Sequence, residues 1–273
     1  YHAASATLNE LAKDAKYLGA NIGYICILHT WGSAMNYHPH IHTIVLGGGL
    51  DDENKWKETG GKFFLPYGVI SKVFRGKYLD ELKSLWNDSK LKFHGTAEKY
   101  QNSYRFKELL DKCYEKNWVT YCKETFNGAQ SVINYLGKYT HRIAISNHRI
   151  KSMTDTTVTY VVKDYKNEGC WKEKTISGEE FIRRFMMHVP PKRFVRIRHY
   201  GLLSCRNKRK KITHCRNLLG CKKYISTLKN LNAVEMIRVL YHIDVCKCSS
   251  CGGNMVSPRK DKYSSSFRAH MRC

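Results

Sequence analysis

The chain is predicted to be an α+β protein: an antiparallel central sheet with helices packed on it, plus a small C-terminal basic region with a zinc-knuckle turn. Three observations carry this reading. Asn21 to Thr30 and His38 to Leu46 are apolar-rich runs separated only by the turn Gly32 to Tyr37, the layout of two adjacent antiparallel strands. Helical spacing recurs in several separate segments, and Arg206 to Lys211 and Cys246 to Gly253 set the last part of the chain apart in composition.

Taken in order, Leu8 to Leu18 has helical spacing, and Asn21 to Thr30, rich in Ile, Tyr and Leu, reads as a buried strand. The next strand starts at His38 and ends at Gly47-Gly48-Gly49. Ser71 to Leu91 and Tyr104 to Lys116 are helical in pattern and form an insertion near 71–117, while Trp118 to Lys123 alternates as a short strand. A helix is expected from near Gly128 through Tyr139. Strands are expected at Arg142 to Ile150 and Thr156 to Tyr165, then a helix at Gly178 to His188 stopped by Pro190-Pro191. That Pro pair reads as a hinge into a strand at Phe194 to His199, dividing the chain into a main domain, 1–190, and a basic C-terminal region, 191–273.

Charge narrows the function. With 47 Lys and Arg against 23 Asp and Glu, the formal net charge is +24, and a polyanionic partner is the simplest explanation. A ribosome-like structural protein rarely carries a metal-spaced histidine pair. A membrane-surface binder needs a basic amphipathic helix that is not found, and no apolar run approaches the ~20 residues a membrane span requires. No signal peptide is seen, so a cytoplasmic, nucleoid-associated protein is expected; the chain opens on Tyr1-His2, so an upstream segment is expected too. The 11 cysteines are scattered and odd in number, which favours reduced thiols with a few on metal.

Side chains alternate faces along a strand, so in His38-Pro39-His40-Ile41-His42 the imidazoles of His40 and His42 point one way and Ile41 the other. His29, on the preceding strand, is the first choice for a third ligand, with Gln130 and His141 as alternatives; His38 has the right parity but reads as a flank. Any one of these histidines alone is more often a satisfied core or surface imidazole; the pair beside a third favours metal. Tyr135 and Tyr139 lie four apart and share one helix face. Such spacing can be ordinary helix core, but Lys138, His141, Arg142 and Arg149 surround the pair with positive charge that would favour phenolate and hold a phosphate backbone. A metal and two phenols make chemical sense together if phenolate oxygen attacks a phosphodiester whose charge the metal absorbs.

Two further features bear on partners. In Pro191 to Gly201, Arg196 and Arg198 alternate with Val195 and Ile197, while Phe194, His199 and Tyr200 could stack on bases, a pattern suited to single-stranded nucleic acid and equally to an amphipathic edge strand. Cys246, Cys248 and Cys251, in a Cys-x-x-Cys-Gly-Gly turn, have the form of half a structural Zn²⁺ site, completed by His270 and Cys273 or by Cys215 and Cys221, or else are plain thiols.

Three stretches, HTWGSAMNYHPHIHTIVLGGGL from His29, VINYLGKYTHRIAISNHRI from Val132 and FVRIRHYGLL from Phe194, resemble, in family order, the rolling-circle insertion-sequence transposases of the two-tyrosine HUH class. That resemblance covers most of the chain and implies an HUH endonuclease palm, with His40 and His42 as the HUH pair and Tyr135 and Tyr139 as the nucleophiles. It departs from the family in lacking an N-terminal cysteine-rich zinc module. The expected activity is metal-dependent nicking and strand transfer of single-stranded DNA through a 5′-phosphotyrosine link, with Mg²⁺ or Mn²⁺ as the ion. The expected partners are single-stranded DNA at element ends and target, with a homodimer as the candidate assembly and no membrane. The alternatives are a replication initiator or relaxase with the same chemistry, and an inactive or truncated derivative that only binds single-stranded DNA.

Overall fold

A computed structural model describes residues 1–60, 65–123, 128–140, 143–164, 167–221, 228 and 230–255, apart from the side chains of 129, 130, 138 and 139. The chain divides into two compact units, 1–221 and 222–273.

The first unit opens with helix α1 (His2–Lys13), then strands β1 (Asn21–Trp31), β2 (Tyr37–Leu50) and β3 (Trp56–Glu58). Two long helices follow, α2 (Tyr67–Asn87) and α3 (Ser103–Glu115), separated by a 3-10 turn at Gly95–Gln101. Helix α4 (Ala129–Thr140) precedes a second group of strands, β4 (Ile150–Met153), β5 (Thr157–Asp164) and β6 (Cys170–Ser177), which leads into α5 (Gly178–Met186). Strand β7 (Ile197–Gly201) and helix α6 (Lys208–Leu218) complete the unit.

The central sheet is antiparallel, in the order β3-β2-β1-β7, and a separate antiparallel sheet has the order β4-β5-β6. This is the α+β architecture expected, with helices packed on antiparallel sheets. One face of β1 carries Ile22, Tyr24 and Cys26, all buried, and α1 covers it with Leu8, Leu11 and Ala12; Ile41 and Val45 of β2 pack against the same core. The opposite face of β1–β2 is thereby left to the histidines. A second core joins the β1–β2 turn to the second sheet: Met35, fully buried with φ 54°, packs with Tyr160, Val162, Phe181 and Phe185. Strand β7 returns to β1 so closely that a Cβ on Gly201, at φ +58°, would lie 1.8 Å from the Ile22 carbonyl oxygen. Only glycine fits there.

Several boundaries differ from the sequence expectation. Helix α2 starts at Tyr67 rather than Ser71, and Trp118 to Lys123 is assigned to no strand; the Trp118 ring lies against Phe74 and Tyr78 of α2. Residues 143–146 are irregular and 147–149 form a 3-10 turn, so that strand begins only at Ile150. Strand β6 shows no period-two alternation at its start, since Cys170 to Glu173 are all exposed, and the cations of α6 mask its buried Cys215. The Pro190-Pro191 boundary falls inside the first unit, because β7 pairs with β1. Among the described residues, no helix is long and apolar enough to cross a membrane.

In the second unit, helix α7 (Ala233–Tyr241) begins with a reciprocal cap between Asn232 and Glu235. After it the knuckle turn closes on its own main chain, with Gly252 N–H donating to the Cys248 carbonyl and Cys248 N–H to that of Gly253.

Candidate active site

The site starts from strand register. His29 pairs with His40 and Ile27 with His42, and directly opposed residues share a face, so all three imidazoles emerge on the face away from α1. His40 Nε2 and His42 Nε2 are 3.1 Å apart, and the His29 ring stands 4.5 Å from that of His42 and 5.6 Å from that of His40. Ligand atoms of the three lie within 4.8 Å of one another, the only such metal-holding group among the described residues. Two ligands at ~2.1 Å and ~90° on one ion stand about 3.0 Å apart, so the observed nitrogen separation fits a shared divalent ion. Nδ1 of His40 is 2.8 Å from the His38 carbonyl oxygen and donates to it, which fixes the tautomer and leaves Nε2 for metal. His38 thus contributes its main chain, while its own ring stands outside the group.

Burial is unequal across the triad. His29 is buried at 4% exposure, while His40 and His42 are partly open. For His42, burial first, then the neighbouring His29 and His40, hold its pKa down to about 4, so its imidazole is neutral and available as a ligand at pH 7.

Helix α4 brings Tyr135 to this group. The Tyr135 hydroxyl is 3.0 Å from Nδ1 of His42. Were Nε2 of His42 to take up an ion, Nδ1 would keep its proton and could donate to the phenolic oxygen, which would favour phenolate. Tyr139 follows one turn along the same helix. The side chains of Tyr139, Lys138 and Gln130, and the whole of His141 and Arg142, lie outside the described residues.

The hairpin that carries the histidines is held at its tip by the second sheet and α5. Arg149 donates to the Ser33 carbonyl at 2.5 Å and to the Val161 carbonyl at 2.6 and 2.9 Å. Arg184 donates to the Ala34 carbonyl at 3.1 Å, and Tyr160 to the same oxygen at 3.3 Å. His188, buried at 4% exposure, bridges Thr30 Oγ1 at 3.0 Å and the Met35 carbonyl at 3.1 Å. Arg149 was expected beside the tyrosines rather than on the hairpin, and Arg184, Tyr160 and His188 were not legible as part of the site, since their hairpin partners are 126 to 158 residues away in sequence. Trp31 could have been found by strand parity: it lies two residues after His29 and stacks on it at 4.3 Å and 18°.

The residues expected to contact DNA are dispersed. Arg149 is committed to the hairpin, as just described. Arg196 donates to the Thr140 carbonyl and lies 5.8 Å from the centre of the Trp31 ring. Arg198 and Tyr200 pair with Cys26 and Tyr24, which places them on the α1 face, opposite the histidines; Arg198 lies over the Tyr1 ring at 4.2 Å and Tyr200 stacks on Tyr24 at 5.1 Å. Cys246, Cys248 and Cys251 share the knuckle turn but do not converge as a metal-holding trio. His270 and Cys273, expected to complete that site, lie outside the described residues.

An antiparallel sheet thus presents a histidine triad to the helix that carries Tyr135. Comparison with known proteins gives the family: residues 23–211 match the model Y2_Tnp, described as "Putative transposase", and the chain belongs to that transposase family. It is 40% identical over 221 residues to "Putative transposase y4qJ" of Sinorhizobium fredii, covering 81% of this chain and 56% of that protein. It is 27% identical over 251 residues to the transposase for insertion sequence element IS801 of Pseudomonas savastanoi pv. phaseolicola, covering 91% of this chain and 59% of that one. The chain therefore spans little more than half the length of these curated relatives. No solved structure matches it.

Proposed function

We propose that the chain is the catalytic core of a DNA transposase that nicks single-stranded DNA and transfers the cut strand through a phosphotyrosine link. The observation that carries this is the 3.0 Å approach of the Tyr135 hydroxyl to a histidine of the convergent triad. A nucleophile and a cation site so close suit phosphoryl transfer, where positioning and charge stabilisation do most of the work.

His29, His40 and His42 would hold a divalent ion, Mg²⁺ or Mn²⁺, which when bound supplies positive charge to a non-bridging oxygen of the scissile phosphate. Tyr135 loses its phenolic proton to water, and His42 Nδ1–H holds the resulting phenolate in line. The phenolate oxygen forms a bond to phosphorus as the bond to the 3′-oxygen breaks. That oxygen takes a proton and leaves as a free 3′-hydroxyl, while the 5′-phosphate stays on the protein. Because one phosphodiester replaces another, rejoining to a second strand needs no ATP. Tyr139, one turn on, gives the helix a second nucleophile for the next cut, which is what distinguishes transfer from simple nicking.

The test is to incubate the chain with 5′- and 3′-labelled single-stranded oligonucleotides from its element's ends, with Mn²⁺ or EDTA, and to resolve the products on a denaturing gel. The expected result is a protein adduct carrying only the 3′-side fragment, absent with EDTA and in the Tyr135→Phe/Tyr139→Phe double variant. Tight binding without any adduct would overturn the reading in favour of a DNA-binding derivative. Released products without a protein link would mean a hydrolase.

A further inference from the structure

We propose that Arg196 is a positioning residue that fastens the C-terminal end of the tyrosine helix to the metal-site face through Trp31, and does not serve as a contact to nucleic acid. This rests on the reading above, in which Tyr135 attacks beside the histidine triad.

Arg196 is fixed by its own main chain. Its carbonyl accepts from the Leu28 N–H at 3.1 Å and from the Tyr1 hydroxyl, so the residue is tied to β1 one position before His29 and to the start of α1. Its guanidinium then does two things at once. It donates to the carbonyl of Thr140, the last residue of α4, one of the helix-end carbonyls that have no partner within the helix. It also lies 5.8 Å from the centre of the Trp31 ring, and Trp31 is stacked on His29 at 4.3 Å. A row of contacts therefore runs from the end of the tyrosine helix to a metal-site imidazole: Thr140, Arg196, Trp31, His29.

The consequence is geometric. Tyr135 touches His42 in the middle of α4, and a helix held at one point can pivot about it. Thr140 lies five residues on, about 7.5 Å along the axis at 1.5 Å per residue, so Arg196 supplies a second point that fixes pitch and rotation. A cation at a helix C-terminus also meets the negative end of the helix dipole. Arginine suits the role because a planar guanidinium can lie against an indole while donating in its own plane; a lysine ammonium can form one hydrogen bond but offers no flat surface.

The alternative role makes a different numerical prediction. A cation bound to a phosphate gives up affinity when removed and lowers the salt dependence of binding by about one counterion. A positioning residue leaves both unchanged and lowers the rate, since a misplacement of ~1 Å costs about 100-fold.

The experiment uses the whole chain with Arg196→Ala, Arg196→Gln and Arg196→Lys, the Gln variant keeping a donor for Thr140 should the Ala variant fail to fold. Oligonucleotide affinity is measured against salt in the Tyr135→Phe/Tyr139→Phe background, and the adduct rate at saturating DNA and Mn²⁺. A third readout needs no chemistry: 3-fluorotyrosine at position 135, whose ¹⁹F signal is broadened by bound Mn²⁺ the more strongly the closer it lies. We expect Arg196→Ala and Arg196→Gln to lower the saturated adduct rate by about 10- to 100-fold with partial rescue by Lys, to leave affinity within threefold and the salt slope unchanged, and to weaken the Mn²⁺ broadening. Unchanged broadening overturns the proposal whether or not an adduct forms, as does a reduced salt slope with a normal saturated rate. Strong broadening in the wild type without any adduct counts against the catalytic reading alone.

Discussion

The Tyr135 hydroxyl rests 3.0 Å from His42 Nδ1, while the other nitrogen of the same ring faces His40 Nε2 at 3.1 Å. One imidazole thus spans the Tyr135 phenol and the candidate cation site. The two proposed roles separate by substitution: a metal would take Nε2, and Tyr135 meets Nδ1.

Mn²⁺ is therefore expected to raise the melting temperature of the wild type and of Tyr135→Phe alike, and to lose that effect in His42→Ala or His29→Ala. Saturation at 100 times Kd corresponds to about 2.7 kcal/mol of stabilisation, ample for a thermal-shift measurement. A Tyr135→Phe variant blind to Mn²⁺ would show that the phenol is itself a ligand.

In EDTA the triad has a pH signature. His42 titrates near 6.5 in the unfolded chain but is held down to about 4 in the folded one, so across that window only the unfolded chain takes up the proton. Stability contributed by neutral His42 is complete above about 6.5 and drains away as pH falls towards 4. The melting temperature should fall more steeply between pH 7 and pH 4.5 in the wild type than in His42→Gln. Parallel curves would mean that His42 is not held neutral by its surroundings.

Arg149 should behave as a structural clamp. Arg149→Leu leaves the Ser33 and Val161 carbonyls without their charged donor, a loss of about 2–3 kcal/mol read as a lower denaturant midpoint. Oligonucleotide affinity and its salt slope should stay as in the wild type. A smaller salt slope with an unchanged midpoint would return Arg149 to the DNA.

These contacts also show what the sequence could and could not disclose. The triad was legible because period-two parity and a short turn are local rules: strands folded about Ala34 and Met35 must bring His29 opposite His40. The tyrosine helix was legible for the same reason, through its four-residue spacing. Arg149, Arg196, Arg198 and Tyr200 looked alike in sequence, as cations and rings near a site. What separates them is distant pairing: Arg149 meets Ser33, Arg196 meets Thr140, and β7 turns Arg198 and Tyr200 to the α1 face. Such partners follow from long-range pairing and packing, which no local pattern encodes.

Two glycines offer a last, opposed pair of predictions. Gly201 adopts φ +58° with the Ile22 carbonyl oxygen 1.8 Å from where a Cβ would stand, so Gly201→Ala must force β7 away from β1. The left-handed strain alone costs on the order of 1–3 kcal/mol, and the lost strand pairing adds to it. Gly137, between the two tyrosines in α4, has ordinary helical backbone, and a Cβ added there would meet nothing within 4 Å. There Gly137→Ala removes a flexible residue from a helix interior and should stabilise by about 0.5–1 kcal/mol. Denaturant unfolding of the two variants checks both signs. If Gly137→Ala is stabilised as expected yet forms adduct more slowly, the open surface beside Gly137 is where the DNA backbone approaches the nucleophiles; an unchanged rate would place the strand elsewhere on the helix.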